Sequence, residues 1–204
     1  MNFKKMDPNL VSAIVEAGFD KEPREVQDTC IPKIKSGADL FVIAPEGAGK
    51  STAIVMSVIQ QLKSAFEEAP RAVIIVASKE RAFEMDEQFK LLAKNTTLRS
   101  FMAYDQGNLQ FQKDSIYDGI DVLIVTPKRL AELANVSGVP LVKVKMLVVD
   151  DTEIIFRTAH HTIIHRIADS IEKAQILIFA NYWADKFDAF AERIMKNPTV
   201  VEVE

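Results

Sequence analysis

Seven short apolar runs, rich in β-branched residues, recur along this chain, most of them separated by segments of helical length. They lie near Leu40–Ile43, Ala72–Ala77, Arg99–Ala103, Val122–Val125, Met146–Val149, Ile176–Phe179 and Val200–Val203. Between them the spacing predicts helices over Lys50–Phe66, Glu80–Lys94, Pro127–Ala134, Ala159–Ile171 and Ala184–Met195. A strand with one wet face alternates apolar and polar residues; these runs are apolar throughout. Continuous apolar strands alternating with helices predict an α/β fold, a mostly parallel β-sheet with helices on both faces. In such sheets small molecules bind beyond the carboxyl ends of the strands.

Upstream of the first run the pattern is helical. Asp7 is suited to cap a helix that has Pro8 in its first turn and closes at Gly18. A second helix is expected from about Arg24 to Lys35, ending at Ser36-Gly37. No repeat or linker divides the 204 residues, so one domain is expected, with residues 1–37 as a helical extension and 38–204 as the α/β core. The single Cys30 rules out an intrachain disulfide and favours a reducing compartment, by default the cytoplasm. No apolar run approaches the roughly 18 residues of a membrane span, and the N-terminus lacks the pattern of a signal peptide. A net charge of −4 counts against a broad basic face for nucleic acid but leaves room for a local phosphate-binding strip.

The first run leads into Ala44-Pro45-Glu46-Gly47-Ala48-Gly49-Lys50-Ser51-Thr52. This reads as a strand, a glycine-bearing turn and the start of a helix, where unpaired N–H groups and the helix dipole favour an anion. Gly47 and Gly49 allow close backbone approach to a phosphate, Lys50 can reach the β- and γ-phosphates, and the Ser51 hydroxyl can ligate Mg²⁺. These are the marks of a P-loop that binds a nucleoside triphosphate, although Ala44 stands where the general pattern has its first glycine. About a hundred residues on, Met146–Val149 runs into Asp150-Asp151-Thr152-Glu153. An acidic residue leaving a buried strand can hold Mg²⁺ beside a P-loop, and a neighbouring carboxylate can orient the attacking water.

In this order the motifs resemble those of the DEAD-box ATP-dependent RNA helicases, in their first RecA-like domain. Motif I of that family also begins with Ala, as the stretch from Ala44 does here. Phe3, Gly18-Phe19 and Pro23-Arg24-Glu25-Val26-Gln27 resemble the Q motif, which implies that Gln27 reads the adenine edge and that an aromatic such as Phe19 stacks on the base. Ala77-Ser78-Lys79-Glu80-Arg81 is similar to motif Ia, and Thr126-Pro127-Lys128-Arg129-Leu130 to motif Ib. Both follow strand ends, which makes Ser78, Lys79, Thr126, Pro127 and Arg129 candidates to hold RNA phosphates. The stretch Ala191–Val200 resembles the end of that domain. The resemblance therefore implies a RecA-like P-loop domain with ATP and Mg²⁺ as cofactors. Ala44, Glu46, Gly47, Ala48, Gly49, Lys50, Ser51 and Thr52 would surround the phosphates. Ser51 and Asp150 would hold the metal, and Lys50, Asp150 and Asp151 would carry the chemistry.

Two departures bear on mechanism. Motif II reads Asp-Glu-Ala-Asp in the family; here Asp151 replaces the Glu, one methylene shorter, and Glu153 replaces the last Asp. A displacement of about an ångström in a reacting group can cost on the order of a hundredfold in rate. The Ser-Ala-Thr motif that the last Asp contacts becomes Ala180-Asn181-Tyr182. The family also closes a second RecA-like domain over ATP and RNA, whose arginines stabilise the transferring phosphoryl group. The chain ends where the linker to that domain would begin, so it is expected to bind ATP and RNA backbone but to hydrolyse ATP weakly, or not at all, unless such a domain acts in trans. The alternative is a non-catalytic nucleotide- or RNA-binding module that regulates a partner protein.

His161 and His165 share the i, i+4 spacing of zinc-binding pairs, but no Glu holds the catalytic place between them and no third ligand is evident. They, and Trp183 with Phe187, read as packed or solvated side chains.

Overall fold

Residues 6–21 and 24–204 are described by a computed structural model. Phe3 and Pro23, both part of the expected adenine-binding stretch, lie outside the described residues. The strands are β1 Leu40–Ile43, β2 Ala72–Ile75, β3 Ser100–Ala103, β4 Val122–Val125, β5 Met146–Val149, β6 Gln175–Ala180 and β7 Thr199–Glu202. They pair in parallel throughout, in the order β3-β4-β2-β5-β6-β1-β7.

Period-two alternation explains why the strands read as unbroken apolar runs. Leu40, Val42, Ile74, Ile124, Val148 and Phe179 enter one apolar layer, while Phe41, Ile43, Ile75, Val125, Val149 and Ile178 enter the other. On the first face lie α1 Pro8–Glu16, α2 Glu25–Lys35, α3 Lys50–Leu62 and α4 Lys79–Ala93, which contribute Leu10, Ile34, Ile54 and Phe89 to one buried cluster. The second face is covered by α6 Pro127–Asn135, α8 His161–Asp169 and α9 Asp185–Ile194, through Leu130, Ile164 and Phe187. The remaining helices are α5 Leu109–Tyr117 and α7 Thr152–Arg157. Asp7 caps α1, its carboxylate accepting from the N–H groups of Asn9 and Leu10. No helix among the described residues is long and apolar enough to cross a membrane.

Several boundaries differ from expectation. Helix α3 stops at Leu62 rather than Phe66, because Lys63 turns to a positive φ of 62° and ends the hydrogen-bond ladder. Helices α5 and α7 were not expected at all. Only Gln112 and Ile116 of α5 are buried, too few for an apolar stripe, and α7 has six residues.

The strand order places the site. β6 separates β1 from β5, and β2 lies on the other side of β5. The segments leaving β1, β5, β6 and β2 therefore meet at one end of the sheet.

Candidate nucleotide and RNA sites

The turn after β1 uses its two glycines for conformation. Gly47 has φ 79° and Gly49, the N-cap of α3, has φ 91°, in the left-handed region that a Cβ disfavours. At Gly49 a Cβ would also lie 3.1 Å from Gln27 Nε2 and 3.2 Å from Arg24 Cγ, so α2 leans directly on the turn. Arg24 Nη1 donates to the Gly47 carbonyl at 3.0 Å. Lys50 is buried, and its ammonium donates to the carbonyls of Ala44 at 2.7 Å and Pro45 at 2.8 Å. Burial pushes the Lys50 pKa below its ordinary value, against the opposing pull of Asp150, Glu153 and Asp151.

A cavity of about 740 Å³ opens here. Phe19, Gln27, Glu46, Gly47, Gly49, Lys50, Ser51 and Thr52 line it, as does Asp151 from the far side. Ala44 contributes its carbonyl beneath the loop, and Ala48 packs against the core. Gln27 is almost wholly buried, with its side-chain oxygen accepting from the Arg24 N–H at 3.2 Å. Arg81, Glu84, Arg24 and Asn181 also line the cavity, and none of them was singled out for it from the sequence.

Arg81 reorganises the acidic end. It sits in the first turn of α4, just past the Ser78 N-cap, and the pairing of β2 with β5 brings it beside the motif after β5. Its Nε donates to Asp151 Oδ2 at 2.8 Å. Its Nη2 donates to Asp150 Oδ2 at 3.0 Å and to Ser51 Oγ at 3.1 Å, and its Nη1 donates to Glu84 Oε2 at 2.6 Å. Burial opposes the charge, yet Asp150 and Asp151 hold the Arg81 pKa above its ordinary value. Asp150 is fully buried; burial and the charge of Asp151 push its carboxyl up to about 6.

Mg²⁺ requires near-octahedral oxygen ligation at about 2.0–2.1 Å, with several waters. Ser51 Oγ and Asp150 offer suitable oxygens, and Asp150 Oδ1 is buried with no hydrogen-bond partner. The guanidinium of Arg81 nevertheless bridges Ser51 Oγ and the Oδ2 atoms of both aspartates, and its charge opposes a second cation there. The set as arranged does not fit Mg²⁺. Asp151, expected to orient the water, is likewise held by Arg81; its backbone is left-handed, φ 51°.

Glu153 is buried and accepts from the Asn181 backbone N–H at 3.2 Å, while Thr152 Oγ1 donates to the Phe179 carbonyl at 2.8 Å. A link between the segments after β5 and β6 therefore exists without the hydroxyls of a Ser-Ala-Thr motif.

Beyond β2 and β4, a smaller cavity of about 180 Å³ gathers Ser78, Lys79, Thr126, Pro127 and Lys128, together with Asp105, Gln106 and His160. Lys79 lies over the Tyr104 ring, 4.9 Å from its centroid, and Lys128 is exposed. Arg129 does not join them. It is buried, and its Nη2 donates to the carbonyls of Asp105 and Gly107. His161 stacks on Phe156 with centroids 4.4 Å apart, His165 Nδ1 pairs with Asp169, and Trp183 packs against Phe41.

Comparison with known proteins gives the family and the fold. A sequence model of the DEAD/DEAH box helicases matches residues 24–185. The chain belongs to the DEAD/DEAH box helicase family. It is 28% identical over 197 residues to the ATP-dependent RNA helicase DBP10 of Meyerozyma guilliermondii, which covers 96% of this chain and 21% of that protein. It is 25% identical over 196 residues to the DEAD-box ATP-dependent RNA helicase RhpA of Helicobacter pylori, covering 96% of this chain and 39% of that one. A DEAD box protein from the hyperthermophile Methanococcus jannaschii superposes with a TM-score of 0.92 at 18% identity, over 98% of this chain and 54% of the other. That likeness establishes the RecA-like fold. The chain thus spans well under half the length of these curated relatives.

Proposed function

We propose that this domain binds an adenine nucleotide at the turn after β1 and RNA backbone at the cleft beyond β2 and β4, with weak or no ATP hydrolysis unless a second RecA-like domain or a partner protein acts in trans. The convergence of Gln27, Phe19 and the Gly47–Thr52 turn on one cavity carries the nucleotide reading, because it joins a base-selecting amide to a phosphate-binding helix start. Release of the Lys50 ammonium from the Ala44 and Pro45 carbonyls would free it for phosphate oxygens. Ser78 and Thr126 stand at the starts of α4 and α6, where N–H groups can meet RNA phosphates, with Lys79 and Lys128 alongside. Mg²⁺, expected from the sequence, is left out of this reading because Arg81 bridges its donors.

Titration calorimetry with ATP, ADP and GTP tests the proposal. Heat from both adenine nucleotides and none from GTP is expected; equal binding of all three would remove Gln27 as the base reader. The tethering of Asp151 by Arg81 favours a second reading, a regulatory module that binds nucleotide without turning it over. Steady hydrolysis on addition of RNA and a second RecA-like domain would exclude it. Cytoplasmic location is a separate proposal, resting on the free, buried Cys30 thiol, and cell fractionation tests it.

A further inference from the structure

The geometry points to Arg81 as a built-in cation that replaces the divalent metal, so that this domain binds nucleotide phosphates without Mg²⁺. This inference rests on the nucleotide reading above and adds the means by which the phosphates are neutralised.

Three observations carry it. The guanidinium is a rigid planar fork, and here its nitrogens span Asp151, Asp150 and Ser51 at 2.8 to 3.1 Å. Those contacts come from two separate segments, the end of β5 and the start of α3, and Arg81 stands in the first turn of α4, so the arginine ties three segments together as a shared metal would. A divalent ion at Asp150 Oδ2, Asp151 Oδ2 and Ser51 Oγ would lie against the guanidinium that already donates to them, and like charge opposes that arrangement.

The second observation concerns the remaining donor. Nη1 faces Glu84, whose side chain is 62% exposed, and the two residues are three apart on α4. A surface pair of this kind holds only weakly. A phosphate oxygen entering the cavity can therefore take Glu84's place on Nη1 while the contacts to Asp150 and Asp151 stay made. Arg81 and Glu84 both line the same cavity as Lys50 and Ser51, which puts that nitrogen on the phosphate side.

The third is charge. Asp150 and Asp151 would repel a phosphate, and Arg81 pairs with both as their counter-ion. With Lys50 lining the same cavity, a phosphate there would meet two cations, and the two carboxylates that follow β5 are already paired with Arg81.

Two measurements on the purified chain and on Arg81→Met test this. Methionine keeps the volume of the arginine stem and frees the oxygens. Thermal denaturation with MgCl₂ and no nucleotide reads the metal site alone. The wild type should show no Mg²⁺-dependent rise, whereas Arg81→Met should rise, because the freed carboxylates can then hold the ion. ATP titration in Mg²⁺ and in excess EDTA reads the phosphates. Wild-type affinity should agree within about threefold between the two conditions, and Arg81→Met should weaken in EDTA by about tenfold or more, the scale of a lost charge-assisted hydrogen bond. Arg81→Lys, with one point charge in place of the fork, should fall between them and stands in if Arg81→Met does not fold. ATP binding by the wild type that collapses in EDTA would overturn the inference while leaving the nucleotide reading intact. Absence of ATP binding under every condition would overturn both.

Discussion

Glu153 Oε2 accepts a 3.2 Å hydrogen bond from the backbone N–H of Asn181, across 28 residues of sequence and between the ends of two neighbouring strands. The bond ties the segment that carries Asp150 and Asp151 to the segment after β6. It uses a backbone donor, so it is indifferent to whether residue 180 or 182 has a hydroxyl. Glu in place of Asp adds the methylene of reach that a backbone contact requires. Substitutions that look like the loss of a link are, in three dimensions, its rebuilding from other atoms.

Glu153→Ala should therefore leave the Asn181 N–H without its partner, lowering stability by about 0.5–1.5 kcal/mol. Asn181→Ala keeps that N–H and should change stability much less. Urea denaturation of the two variants distinguishes them. Equal losses would mean that the Asn181 side chain, rather than its backbone, matters.

Lys50→Ala should reduce ATP affinity by about tenfold or more, consistent with a lost charge-assisted contact to phosphate. The fold should tolerate the change, because burial already disfavours the charged ammonium at this site. Calorimetry reads the affinity and circular dichroism the fold. Unchanged affinity would remove the turn after β1 as the phosphate site.

Asp150 offers a pH test. Its carboxyl is raised from 3.8 to about 6, first by burial and then by Asp151. A raised acid contributes stability that is fully present below its unfolded value and is lost as pH rises through the folded one. The penalty is thus absent below about pH 3 and complete above about pH 7. Asp150→Asn should stabilise the domain near neutral pH by about 1–2 kcal/mol, a gain that fades on acidification. Arg81 keeps Asp151, so the substitution strands no buried cation. Thermal midpoints across this range check it; a loss at every pH would show that attraction to Arg81 outweighs burial.

How much of this was legible in the sequence depended on whether a feature was local. The strands were, because burial on both faces left each one uniformly apolar, as in Val122–Val125. The Gly47–Ser51 turn was, because its residue types answer to local chemistry; Gln27 was named only through resemblance to a family motif. Helix α5 was not: its N-cap Asn108, which accepts from the Phe111 N–H at 2.8 Å, was a usable signal, but its nine residues bury little. The bridge from Arg81 to Asp150 joins residues 69 apart and exists because β2 lies beside β5, an order that no local pattern states. Arg129 shows the same limit, since nothing in Thr126-Pro127-Lys128-Arg129 tells which cation turns outward.

That distinction separates two kinds of loss in RNA binding. Arg129 is 3% exposed and holds the backbone of Asp105 and Gly107, whereas Lys128 is exposed and Lys79 lies at the cleft over the Tyr104 ring. Lys128→Ala and Lys79→Ala should each weaken binding to all single-stranded RNAs alike and lower the slope of log affinity against log salt by about one unit, with stability unchanged. Arg129→Ala should act differently, because it releases two carbonyls and the loop they belong to: a stability loss of about 1–3 kcal/mol, with weaker RNA binding as a consequence of the displaced loop. Filter binding over a salt series, paired with denaturation of each variant, makes the comparison. A reduced salt slope for Arg129→Ala with full stability would place its guanidinium on the phosphate after all, and would require it to leave the Asp105 and Gly107 carbonyls when RNA binds.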